Sequence, residues 1–169
     1  MSVETLISLE EYLHTSYSPD VEYLDGVLVE RNVGDHPHAL LQTTLAAYLH
    51  NRRKQWNIQA CTELRIRIRG KRYRIPDVCV YTLPAPTERV PSRMPFLWIE
   101  ILSPEDKILD IWSKASELIE AGVPNIWIIN PNTLESQLRT SAGVSDVPDK
   151  TLRLPDSPIV IPLLDVMAE

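Results

Sequence analysis

Asp77, Glu100 and Lys114 are the residues whose types and surroundings are suited to hydrolytic chemistry. Glu100 lies inside Phe96-Leu97-Trp98-Ile99-Glu100-Ile101-Leu102-Ser103, a run apolar enough to read as a strand buried on both faces. A carboxylate in that setting is costly unless its charge is compensated. A metal ion shared with a second acid is the economical compensation, and Asp77, in Ile75-Pro76-Asp77, is the nearest partner on a neighbouring strand. Lys114 stands on the helix that follows the Glu100 strand, from which it would reach back over the sheet. Phosphodiester hydrolysis needs an activated water and charge stabilisation at the attacking and leaving oxygens. Mg²⁺, with Mn²⁺ as a substitute, held by Asp77, Glu100 and the backbone carbonyl of Ile101 would supply both, with Lys114 orienting the water or the scissile phosphate.

Each residue also has a plain structural role open to it. Asp77 after a proline is suited to capping a turn, and Glu100 to pairing with a buried arginine. Asp110 and Lys114 have the i,i+4 spacing, acid first, of a helix ion pair. The combination, rather than any member, points to an active site.

The elements that must position these residues follow from periodicity. Ser8 and Glu11 form a capping-box pattern for a short helix. Val21 to Glu30 reads as two short strands around an Asp25-Gly26 turn, with Glu22 informative only if it points inward. Asp35 caps a long helix with Pro37 in its first turn, His38 at its start, and Leu41, Leu45, Tyr48, Leu49 and Arg52 on one stripe. Leu64, Ile66 and Ile68 then alternate with Arg65, Arg67 and Arg69 before Gly70-Lys71 turns the chain into a strand from Arg72 to Tyr81. A two-residue turn there pairs Arg69 with Arg72, Arg67 with Arg74 and Ile66 with Ile75. That register puts Asp77 opposite Leu64, sends Cys61 and Cys79 to opposite faces, and gathers Arg65, Arg67, Arg69, Arg72 and Arg74 on one face. Like charges so concentrated suggest an anionic partner such as a phosphate backbone, or a screened charged surface with acidic neighbours.

Beyond a proline-rich loop from Pro84 to Pro95 comes the Glu100 strand, then a helix opened by Ser103-Pro104 and ended by Gly122. Its expected buried stripe is Ile108, Ile111, Trp112, Ala115 and Ile119. Asn125 to Ile129 is a further buried strand, and a strand-helix-strand unit of this length predicts a right-handed crossover between parallel strands. Short edge strands and a last helix from Pro162 to Met167 complete the chain.

With 169 residues, 44% hydrophobic and 24% charged, the whole of 1–169 reads as one α/β domain. No apolar stretch is of membrane-spanning length, and Met1-Ser2-Val3-Glu4 lacks a signal pattern, so a cytoplasmic protein without membrane partners is expected. Two cysteines make neither a disulfide framework nor a zinc cluster. A net charge of −6 excludes a broad nucleic-acid coat but not one local basic site.

The ordered set of Glu22 with Asp25-Gly26, His38, Pro76-Asp77, Glu100-Ile101-Leu102-Ser103-Pro104, Asp110 with Lys114, Gly122-Val123 and Trp127-Ile128-Ile129-Asn130-Pro131 resembles the bacterial Uma-two family. That family resembles restriction endonucleases of the PD-(D/E)xK superfamily. The resemblance implies a restriction-endonuclease-like core, a mixed central sheet flanked by helices, and a Mg²⁺-dependent nuclease site acting on DNA. Asp77 and Glu100 would be the motif acids. Leu102 occupies the usual lysine position, so Lys114 would be the relocated lysine. Glu22, His38 and Asp110 would support the site, and Leu118 replaces a tyrosine common in relatives. The alternative is a non-catalytic nucleic-acid-binding or regulatory module on the same scaffold. Cutting both strands with one site per chain would favour a homodimer.

Overall fold

The computed structural model describes residues 6–168; the Met1-Ser2-Val3-Glu4 stretch lies outside them. Ser8 caps α1 (Leu9–His14), its hydroxyl accepting the Glu11 N–H at 3.1 Å. Asp25 and Gly26, with φ of 53° and 104°, form the turn between β1 (Val21–Leu24) and β2 (Val27–Glu30). The Asp35 carboxylate accepts the His38 N–H at 3.2 Å to open α2 (His36–Asn51). A single turn, α3 (Arg53–Trp56), leads into β3 (Ile58–Thr62). Next come β4 (Ile66–Arg69), β5 (Arg72–Arg74), β6 (Val78–Thr82) and, beyond the proline-rich loop, β7 (Leu97–Ile101). The chain continues through α4 (Ile108–Glu120), β8 (Asn125–Ile129), β9 (Ser136–Thr140) and β10 (Gly143–Asp146). It closes with β11 (Thr151–Arg153), β12 (Val160–Pro162) and α5 (Leu163–Ala168).

A mixed six-stranded sheet, β10-β9-β8-β7-β6-β3, forms the centre. The β7–β8 pair joined by the α4 crossover is parallel, as the spacing predicts, and its other pairs are antiparallel. Alternation along β7 sends Leu97, Ile99 and Ile101 to the face covered by α2 and α5, and Trp98 with Glu100 to the face covered by α4. A smaller antiparallel sheet, β2-β1-β5-β4, carries Tyr23 and Tyr73 against Tyr12 of α1. No helix among the described residues is long and apolar enough to cross a membrane.

Three features differ from the sequence expectation. First, the strand expected from Arg72 to Tyr81 breaks at Ile75-Pro76-Asp77, so β5 joins the small sheet and β6 the large one. Pro76 lacks an N–H and cannot continue the ladder. The Asp77 carbonyl therefore faces the Glu63 N–H at 3.4 Å rather than Leu64, and Cys61 pairs with Cys79 across β3 and β6 instead of facing away from it. Both thiols are free.

Second, a bulge between Arg67 and Arg69 pairs Arg67 with Tyr73 and Ile66 with Arg74, while Arg69 keeps Arg72. The five arginines are thus divided between the faces of the small sheet. Arg65 lies over the Tyr12 ring and pairs with Asp20, whereas Arg72 and Arg74 turn the other way, to Glu117 of α4. Third, α4 begins at Ile108, because Ser103 to Lys107 form a turn in which Asp106 accepts the Ser103 N–H at 2.7 Å. Ile108 is consequently exposed, and the buried stripe centres on Ala115 and Leu118.

Candidate active site

The site grows from the seam between the two sheets. Val78 pairs with Ile99, so one further step along the antiparallel ladder sets Asp77 beside Glu100 at the end of β6 and β7. Both are nearly sealed from solvent, at 3% and 8% exposed. On β1, Val21 and Tyr23 face α1, which turns Glu22 inward to 3% exposure. From α4, Lys114 reaches back so that its Nζ lies 2.7 Å from Glu100 Oε1 and 2.8 Å from Glu22 Oε1. These side chains line a cleft of about 520 Å³ whose rim includes Asp110 and Lys107. Lys114 thus takes up one acid from β1 and one from β7, and Asp110 stays at the exposed rim.

Each carboxylate is tied to its surroundings. Asp77 Oδ2 accepts the Ile101 N–H at 2.6 Å, while Oδ1 receives Arg31 at 2.8 Å and lies 3.4 Å from His38 Nε2. Glu100 Oε1 also accepts the Trp98 indole N–H at 2.6 Å. Glu22 Oε1 takes the Ile75 N–H at 3.0 Å and its Oε2 takes Arg74 at 2.7 Å. Arg74 in turn shares Glu117 with Arg72. A continuous row of alternating charge therefore runs from β5 through Glu22 and Lys114 to Glu100.

Burial and charge act against each other along this row. Burial resists ionisation of Glu22, but Lys114 and Arg74 hold its carboxyl down to about 2. Burial likewise opposes the charge on Asp77, and His38 and Arg31 overcome it, keeping that carboxyl below its ordinary value. Glu100 goes the other way. Burial, with the nearby charges of Asp77 and Glu22, raises it despite Lys114. Lys114 keeps its proton more firmly than usual because Glu100 and Glu22 outweigh its desolvation.

Among the described residues no group of three or more His, Cys, Asp or Glu side chains is arranged to hold a metal. Asp77 and Glu100 adjoin in the cleft and supply hard oxygen donors, and Ile101 at the end of β7 lines it beside them. Mg²⁺ takes one or two carboxylates and completes its shell with water and substrate oxygens, so this donor set fits it. Burial, with Asp77 and Glu22 close by, raises Glu100 even though Lys114 faces it, and a divalent ion between the two acids would offset that cost.

Of the residues singled out from the sequence, Asp77, Glu100, Lys114, Ile101, Glu22, His38 and Asp110 all line this cleft. Of the five arginines, only Arg74 does so. Arg67 and Arg69 are exposed at the β4–β5 turn, Arg69 facing Glu120 at 3.6 Å. Sequence reading missed Arg31, Glu63 and Glu117. Glu117 stands three residues after Lys114 on the same face of α4, and that i,i+3 spacing was the one signal available for it. Arg31 carried no local signal.

The mixed central sheet flanked by helices, with its parallel β7–β8 crossover, is a restriction-endonuclease-like core. Residues 9–159 match the model of the Uma2 family, described as "Putative restriction endonuclease", and the chain belongs to that family. Its fold is similar to a solved structure described as "a putative nuclease belonging to DUF820", from Anabaena variabilis ATCC 29413. That likeness has a TM-score of 0.79 at 22% identity, over 96% of this chain and 98% of the other. No curated protein matches the chain.

Proposed function

We propose that the protein is a Mg²⁺-dependent endonuclease that hydrolyses phosphodiester bonds in DNA, with Mn²⁺ able to replace Mg²⁺. The observation that carries this reading is the meeting of Asp77, Glu100 and Lys114 in one cleft from three separate elements. Asp77, Glu100 and the Ile101 carbonyl would hold the ion. Bound there, it would supply charge stabilisation at the scissile phosphate and activation of water near neutral pH. Lys114 keeps its ammonium charged between Glu22 and Glu100 and offers donors to the phosphate or the attacking water. Glu22 fixes where that ammonium sits, and His38 with Arg31 keeps Asp77 ionised. The burial of the acids limits competing solvent and strengthens each of these interactions.

Cleavage of supercoiled plasmid and single-stranded DNA, with Mg²⁺, Mn²⁺ or chelator, tests the proposal. Asp77→Asn and Glu100→Gln should each reduce Mg²⁺-dependent cutting at least about a hundredfold, on the scale of lost charge stabilisation, while thermal unfolding confirms that the variants are folded. Lys114→Met should reduce cutting with a smaller effect on DNA retention. Cutting that persists in chelator or in both acid variants would overturn the assignment.

A second reading, a non-catalytic nucleic-acid-binding module, draws on one observation: both acids already face protein cations, Arg31 and Lys114. It predicts DNA retention that survives Asp77→Asn and Glu100→Gln, with no cutting by the wild type. For the endonuclease, a two-fold dimer is the arrangement that brings one site to each strand.

A further inference from the structure

Arg31 stands just beyond β2 and is the cation nearest Asp77 Oδ1, which His38 Nε2 also approaches, at 3.4 Å. Its NH2 donates to Asp77 Oδ1 at 2.8 Å, and its NH1 pairs with Glu63 Oε2. The fork is well supported. Gln42 donates to Glu63 Oε1 at 2.6 Å and to the Asp77 carbonyl at 3.0 Å. Gly34 makes room for this arrangement, because a Cβ there would lie 2.5 Å from His38 Nδ1. The loop after β2 therefore passes directly against the His38 ring while Arg31 reaches the same aspartate. Asp77 Oδ2 is already committed to the Ile101 N–H, leaving Oδ1, the oxygen held by Arg31, as the one a cation in the cleft would meet.

We infer that Arg31 is a displaceable counter-ion: it holds Asp77 Oδ1 in the cation-free protein and yields that oxygen to a divalent cation, turning to the nucleic-acid phosphate. The inference rests on the proposed ligand role of Asp77. A guanidinium and a divalent ion cannot both sit at contact distance on one carboxylate oxygen without strong repulsion. Arg31 has a way out, since its side chain lines the cleft and remains 18% exposed. A guanidinium also matches phosphate geometry as well as it matches a carboxylate. The positive charge at Asp77 is thereby kept until metal and substrate arrive, when the same charge serves the phosphate.

Two readouts should move in opposite directions. Arg31→Gln should bind Mn²⁺ about tenfold more tightly than wild type by calorimetry, since a competing unit charge has gone. The same variant should bind uncleaved duplex DNA in Ca²⁺ several-fold more weakly. In the wild type, the Arg31 Nε–H resonance should shift on Mg²⁺ addition, a readout that needs no variant. If the wild type binds no Mn²⁺, or Asp77→Asn binds it equally well, the metal-site reading itself fails. Asp77-dependent Mn²⁺ binding that Arg31→Gln leaves unchanged or weakened, or an Arg31 resonance unmoved by Mg²⁺, overturns the counter-ion role alone.

Discussion

At Glu22 the balance between burial and charge has a definite pH consequence. Its ordinary value of 4.5 falls to about 2 in the folded protein. The stability it contributes is therefore fully present above the unfolded value and is lost as pH falls through the folded one. The difference corresponds to about 3 kcal/mol. Urea unfolding followed from pH 6 to pH 2 should show this loss in the wild type, and Glu22→Gln should flatten that slope. At neutral pH the variant should be less stable by on the order of 3 kcal/mol, because Arg74 and Lys114 are left with an uncompensated buried charge. At this scale, legibility depended on local contrast. Glu100 could be found because an acid in the run Leu97–Ile101 has no cheap explanation. Arg31 could not, because its meaning lies in a partner 46 residues away in a loop of ordinary composition.

The elements were legible where short-range chemistry decides them. Asp25-Gly26 fixes one hairpin, Asp35 starts α2, and Gly122 follows the end of α4. At Gly122 the backbone has φ of 102° and nothing lies within 4 Å of the point where a Cβ would stand, so substitution there meets backbone strain alone. Gly122→Ala should cost about 1–2 kcal/mol, measurable as a lower urea midpoint with unchanged slope, and should leave metal binding intact. What failed was register over distance. A single strand from Arg72 to Tyr81 satisfies the alternation pattern, yet Pro76 divides it between two sheets and the bulge after Arg67 splits the arginines between the two faces of the smaller one. Both effects depend on competition between partner strands, which periodicity along one segment does not record. The error mattered little for Asp77, because the same break places it at the seam beside Glu100.

For the whole molecule, the central sheet and its parallel crossover were readable from apolar runs and helix length, while the allocation of charge was not. Four of the five sequence-marked arginines are matched within the chain by Asp20, Asp25, Glu22, Glu117 or Glu120. With a net charge of −6, nucleic-acid affinity should depend on few basic contacts. Replacing the exposed Arg67 and Arg69 together by alanine should reduce the slope of log affinity against log salt by about 2, with folding unchanged. Arg74→Ala should instead lower thermal stability, since it removes a partner of both Glu22 and Glu117. Trp98 offers an optical window on the same site: its indole donates to Glu100 and lies beneath Lys114, whose Nζ is 5.7 Å from the ring centroid. Mg²⁺ titration should change its emission, and Trp98→Phe should remove the signal while Trp56, Trp112 and Trp127 still report unfolding. The protein carries a built-in fluorophore for its own charge state.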